Sequence, residues 1–242
     1  MVISLAYRPN RIAWIDNARG LAIVAMVIFH FSFDLMYFGY APAGLVYQLE
    51  WRVFESSIAG SFLFLSGLSF VLTHRSAFNR RKFVRQIAPI VLCAALISAV
   101  TAVLFGQSMI RFGILHSIAT LMILGLALRH LSALALLALA GGIIAGYVWL
   151  APPVSLPALW GGVIYTHNTA FAVDYRPLIP WGAAFVLGMA AASLVRSAPV
   201  TSHTPPRSQR ILGWAGQNSL LIYMLHQPLL FAGFFLLGAI KP

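Results

Sequence analysis

Charge is scarce in this chain. Only 9% of its 242 residues are Asp, Glu, Lys or Arg, against about 25% in soluble globular domains, which excludes an ordinary water-soluble fold. Acids are the scarcest group, with Asp16, Asp34, Glu50, Glu55 and Asp174 forming the whole set. Cysteine occurs once, at Cys93 within an apolar run. That excludes an internal disulfide or a cysteine-based metal cluster and leaves a small core residue. Period-2 alternation is not apparent, so a transmembrane barrel is not expected. No small-x-small exit site follows the apolar run from Gly20, which His30 and Asp34 interrupt. The first apolar segment is therefore expected to remain in the mature protein rather than to be a cleaved signal.

What the chain has instead is hydrophobic surface, 60% of its residues, in runs approaching the roughly 20 residues that cross a hydrocarbon core as a helix. The expected fold is all-α, a polytopic transmembrane bundle forming one domain over residues 1–242. Hydropathy places seven spans at about 19–38, 57–74, 85–105, 111–129, 131–150, 178–196 and 214–238. The net charge of +11 would suit a nucleic-acid partner only if a soluble domain carried it, and none is visible. Topology explains it better. Of the 16 Lys and Arg residues, 12 fall on the N-terminal side of the spans, and Arg52, Arg111, Arg176 and Lys241 on the other. Since basic residues collect on the cytoplasmic face, the N-terminus is expected inside and the C-terminus outside.

Between the first two spans, Leu45, Leu49 and Val53 recur at helical spacing beside Glu50, Arg52 and Glu55, predicting a short helix on the outer interface. The cytoplasmic "HRSAFNRRKFVR" is a compact basic loop, "SAPVTSHTPPRSQ" reads as a linker, and residues 151–177 form a long outer loop rich in Pro, Gly and aromatics. Trp14, Trp51, Trp149 and Trp160 fall at predicted interfaces as a belt. "FLFLSGLSF" reads as small-residue helix packing.

The first span, "RIAWIDNARGLAIVAMVIFHFSFDL", is unusual in carrying ionisable groups. At 100° per residue, the eleven steps from Arg19 to His30 make three turns plus about 20°, and Asp16 and Asp34 lie within about 40° of the same line. The rise places His30 about 16 Å beyond Arg19, near mid-bilayer, and Asp34 about 6 Å further out. Facing lipid, such groups cost about 2.5–3.5 kcal/mol each at mid-span, so the stripe must face the bundle interior. As an i,i+4 pair, Asp34 can orient the His30 ring and leave its other nitrogen as a base. The plainer alternative makes Asp16 and Arg19 a cap and anchor, and His30 and Asp34 interhelical glue. In "NSLLIYMLHQPLL", Ser219, Tyr223 and His226 share a helix face, and Pro228 frees the Met224 carbonyl. His116 in "RFGILHSIATL" is either a core histidine or a site residue. Asp174 and Arg176 form either an outward salt bridge or part of an acceptor site.

As a set, "IDNARGLAIVAMVIFHFSFDL", "FLFLSGLSF", "IRFGILHSIATL", "DYRPLIPWG" and "GQNSLLIYMLHQPLL" resemble, in order and over nearly the whole chain, a bacterial membrane-protein family. That family is named for its similarity to the catalytic domain of heparan-α-glucosaminide N-acetyltransferase. It resembles the wider transmembrane acyltransferase group, acyltransferase-3 type enzymes included, whose catalytic centre has an Arg and a His separated by ten intervening residues on the first helix. Arg19 and His30 have that spacing here. The resemblance implies an acyl-CoA donor, acetyl-CoA or another, on the cytoplasmic side, and transfer of the acyl group to a hydroxyl or amine of an outward-facing glycan or envelope acceptor. It implies a place in the bacterial inner membrane.

On this reading His30, Asp34 and Arg19 are catalytic, Arg19 with Arg80, Arg81 and Lys82 holds the donor, and His116, Asp174, Tyr223 and His226 line the acceptor side. Neither metal nor haem is expected. Relatives with more spans leave room for a second copy of this chain to complete the cavity as a homodimer. The rival from another class is a small proton-coupled transporter that uses the midplane histidines and Asp34 as a relay.

Overall fold

The computed structural model describes residues 12–74, 78–149, 174–195 and 206–238. The outer loop up to residue 173, linker residues 197–205, Trp160, Arg8, Arg11, Arg75, Arg196 and Lys241 lie outside the described residues, while the last residues of the expected linker, 207–209, are helical and open α7. Among the described residues every regular element is helical: α1 (Ala13–Tyr37), α2 (Leu49–His74), α3 (Arg80–Phe105), α4 (Ile114–Leu128), α5 (Ala133–Trp149), α6 (Leu178–Ala191), α7 (Arg207–Gln217) and α8 (Ser219–Leu236). Helices α1, α2, α3 and α8 are long and apolar enough to cross a membrane. The other three expected spans correspond to α4, α5 and α6, apolar helices of 15, 17 and 14 residues, short of the roughly 20 that a full crossing takes.

Two elements differ from expectation. The predicted interfacial helix is a 3₁₀ turn, Leu45–Tyr47, followed by α2, so Glu50, Arg52 and Glu55 belong to the first turns of a 26-residue helix. The last expected span is two helices, because the chain leaves helical geometry at Asn218. There the Asn218 Nδ2 donates to the Trp214 carbonyl at 2.8 Å and closes α7.

The chain divides into two compact units, Met1–Phe62 with Ser197–Pro242, and Leu63–Arg196, with the boundary inside α2. In the first unit α1 stops where Gly39, at φ +81°, takes a left-handed turn. The Phe38, Gly39 and Tyr40 amides then bond back to the Asp34, Met36 and Leu35 carbonyls, the ordinary glycine-ended close of a helix. Helix α7 lies directly on α1. A Cβ at Gly20 would strike the Leu212 carbonyl and one at Gly216 the Asp16 carbonyl, so these backbones touch with no room for a side chain. Around this crossing Ile23, Met26, Ile58 and Ala215 form a core, with Phe29, Phe54, Trp214, Ile222 and Tyr223 packed on it.

In the second unit the "FLFLSGLSF" segment packs as its small residues predict. Gly67 meets the Phe185 carbonyl, Gly188 meets the Phe64 carbonyl, and Leu63, Leu68, Phe70 and Phe185 are fully buried or nearly so. Helix α3 keeps Leu92, Val103 and Leu104 at 70%, 86% and 67% exposure, an apolar face that lipid covers and water does not.

Candidate functional site

Helix α1 turns its polar stripe inward. Asp16 and Asp34 are 5% and 0% exposed, whereas Leu21, Val24, Ile28 and Phe31 on the other sides lie between 41% and 62%. Arg19 and His30 are half-buried along the same stripe. At its N-terminal end Asp16 Oδ2 accepts from Gln217 Nε2 at 3.1 Å, and Asp16 Oδ1 stands 4.0 Å from the Arg19 guanidinium, one turn away. An acid in the first turn also complements the helix dipole.

Further along, α8 meets α1 with its own polar residues. Gln227 Nε2 donates to Asp34 Oδ1 at 2.7 Å. The carboxylate is thus held from across the interface and not by His30, which corrects the hydrogen bond expected within the i,i+4 pair. A buried amide N–H at 2.7 Å takes the carboxylate away from a ring on its own helix. The second Asp34 oxygen and the Gln227 Oε1 are buried with no hydrogen-bond partner among the described residues.

His30 faces His226, with ring centroids 4.7 Å apart at 61°. The His226 Nδ1 lies 2.7 Å from the Tyr223 carbonyl oxygen. A carbonyl only accepts, so Nδ1 carries the proton and Nε2 the lone pair. That Nε2 is buried and has no hydrogen-bond partner among the described residues. The Tyr223 ring stands 5.8 Å from the His226 ring. Four residues singled out in the sequence, His30, Asp34, Tyr223 and His226, are therefore neighbours on α1 and α8.

His116 and Asp174, also singled out, lie in the second unit at the N-terminus of α4. The His116 Nδ1 accepts from the Gly113 amide at 3.2 Å, which leaves the proton on Nε2, 3.2 Å from Ser98 Oγ. The Ser98 hydroxyl in turn donates to the Ile110 carbonyl at 2.7 Å. Every donor in this chain meets an acceptor, and both imidazole nitrogens are occupied. Asp174 Oδ2 accepts from the Ile114 amide at 3.1 Å, capping α4 from a distant part of the chain. Its other oxygen stands 3.8 Å from Arg176 Nε. The Ser117 hydroxyl donates to the Arg176 carbonyl, and the Arg176 guanidinium lies over the Trp181 ring at 4.9 Å. "DYRPLIPW" is thus a strap tied onto the start of α4.

The three basic residues assigned to the donor divide by role. Lys82 Nζ donates to the Thr73 carbonyl at 3.3 Å, closing the end of α2, while Arg80 and Arg81 are exposed at the first turn of α3. Sequence reasoning missed Gln217 and Gln227, the amides that hold the two buried aspartates, and Ser98, the partner of His116. The available signal was position: Gln227 stands between His226 and Pro228 inside an apolar helix, where an amide is costly without a partner.

No curated protein and no solved structure matches the chain. The family model for heparan-alpha-glucosaminide N-acetyltransferase, catalytic, matches residues 11–228. That range holds the α1 stripe and the α8 histidine alike, and the chain belongs to this family of membrane acetyltransferase catalytic domains.

Proposed function

We propose that the protein is a membrane-embedded acyltransferase. It takes an acetyl or other acyl group from cytoplasmic acyl-CoA and passes it to a hydroxyl or amine of an outward-facing glycan or envelope acceptor in the bacterial inner membrane. The observation that carries this reading is the meeting of His30 with His226 beside the buried Asp34. In this reading the chain crosses the membrane seven times with its N-terminus inside, and α4, α5 and α6 make their crossings as short helices.

The chemistry asks for one base and little else from this chain. His30 removes the acceptor proton as the acceptor oxygen or nitrogen bonds to the thioester carbonyl carbon. The C–S bond then breaks, and the departing thiolate takes the proton from His30. General-base assistance of this kind supplies about 10²–10⁴ in rate, or roughly 3–5.5 kcal/mol. Arg19, which stands 4.0 Å from Asp16, offers its guanidinium to a phosphate or carbonyl oxygen of acyl-CoA. Arg80 and Arg81, with exposed side chains, suit the nucleotide phosphates.

The test is transfer of radiolabel from acetyl-CoA into envelope glycan by membranes containing the protein, set against membranes containing His30→Ala. Label that depends on His30 supports the reading. The fully buried Asp34, with one oxygen unpartnered, favours a second reading, a proton-coupled carrier. Solute uptake driven by a pH gradient, with no acyl transfer, would establish the carrier and dismiss the enzyme.

A further inference from the structure

Asp34 is 0% exposed, and no Lys or Arg pairs with it among the described residues. A buried carboxylate without a counter-charge is among the costliest groups a fold can hold, and taking up a proton relieves it. Its hydrogen-bond partner is a neutral amide: Gln227 Nε2 donates to Oδ1 at 2.7 Å. The atom beside each bonded atom, Asp34 Oδ2 on one side and Gln227 Oε1 on the other, is buried with no hydrogen-bond partner among the described residues. Other such atoms, on His74 and His226, stand singly, whereas these two are left over from one and the same contact. With Asp34 ionised both are acceptors, and neither can serve the other. A proton on Oδ2 makes them donor and acceptor. Carboxylic acid and primary amide are both planar, and each then sets one donor beside one acceptor. The bond already made therefore brings the second pair within reach by rotation about the broad terminal torsions of the two side chains.

We propose that Asp34 is a proton-binding site: its carboxyl group is held as the neutral acid, Oδ2–H donating to Gln227 Oε1 while Gln227 Nε2 donates to Oδ1, in a two-bond clasp between α1 and α8. One proton satisfies both orphaned oxygens and removes the unpaired charge. The titratable side chains nearest in sequence on these two helices are His30, one turn earlier on α1, and His226, next to Gln227 on α8, whose rings meet at 4.7 Å between centroids. The clasp thus fixes the register of α8 on α1 at the level where the two imidazoles meet, and it leaves His30 one turn from a neutral group in place of an anion. The inference goes beyond the acyltransferase reading and does not rest on it.

The aspartates of the chain are Asp16, Asp34 and Asp174, so ¹³C-labelling of aspartate side-chain carboxyls, with unlabelled asparagine supplied, gives three signals from the purified full-length protein at neutral pH. One is expected at the carboxylic-acid position, and it should vanish in Asp34→Asn. Three carboxylate signals in the wild type overturn the proposal without any variant and leave the two oxygens to a bridging water or cation. An acid signal that survives in Asp34→Asn overturns it as well. Thermal unfolding in detergent tests the clasp separately. Asp34→Asn puts an N–H where the acid has its O–H, and two amides pair as acid and amide do, so its Tm should stay within about 2 °C of wild type. Asp34→Leu leaves the Gln227 amide without that partner and should lower Tm by about 4 °C or more. An Asn variant as unstable as the Leu variant overturns the two-bond pairing. Neither readout involves turnover, so a protein that transfers no acyl group yet shows the acid signal loses the enzymatic reading and keeps the clasp.

Discussion

His30 is the residue on which the proposed chemistry turns, and its replacement gives the first prediction. His30→Ala should reduce acyl transfer by about 10²–10⁴ while the protein still inserts and purifies in wild-type yield, as measured by turnover beside quantitative blotting of membranes. Arg19, at the edge of ion-pair distance from Asp16, is the proposed donor-binding group on α1, and Arg19→Ala should raise the KM for acetyl-CoA. An unchanged KM would make the arginine an anchor. Gln227 gives a prediction about stability. Removing its amide strips the single hydrogen bond from a fully buried carboxylate, and Gln227→Leu should destabilise the protein by about 1–3 kcal/mol, visible as a lower Tm in detergent. The stripe itself was legible in the sequence, because charged groups on an apolar helix stand out at a period of 3.6. Gln217 and Gln227 were not. A neutral amide carries no charge to join the stripe, and which aspartate it reaches depends on how α7 and α8 pack on α1.

At the level of elements, hydropathy located the apolar helices α1 to α6 and α8 but not α7, whose first residues it read as linker, and it misjudged two ends. The charges at Glu50, Arg52 and Glu55 suggested a boundary at the interface, yet no Gly or Pro lies between Leu49 and Ala59, and a backbone hydrogen-bond ladder runs through charged residues as readily as apolar ones. The reverse happened at "GQNS", where apolar flanks hid a break that Asn218 makes through its own side chain. The strap that Asp174 ties to α4 also lay beyond sequence reasoning, since its partner is the Ile114 amide, 60 residues away. From that geometry Asp174→Ala should cost about 1 kcal/mol of stability, the usual worth of a helix cap, and leave the acceptor KM within a few-fold of wild type. A large rise in that KM with unaltered Tm would instead place Asp174 at the acceptor.

Taken whole, the molecule is a helical membrane protein whose topology is open to direct test. With seven crossings, tags at the two ends should report opposite sides of the membrane. Thiols introduced as Phe105→Cys and His130→Cys, on exposed side chains at the far ends of α3 and α4, should react from outside and from the cytoplasm respectively. Both reacting from one side would remove a crossing between them. Such mapping is unusually convenient in this chain. Cys93, half-buried on α3, is the one cysteine of the sequence, so replacing it with alanine gives a background blank to maleimides. Every later signal then comes from a position the experimenter chose.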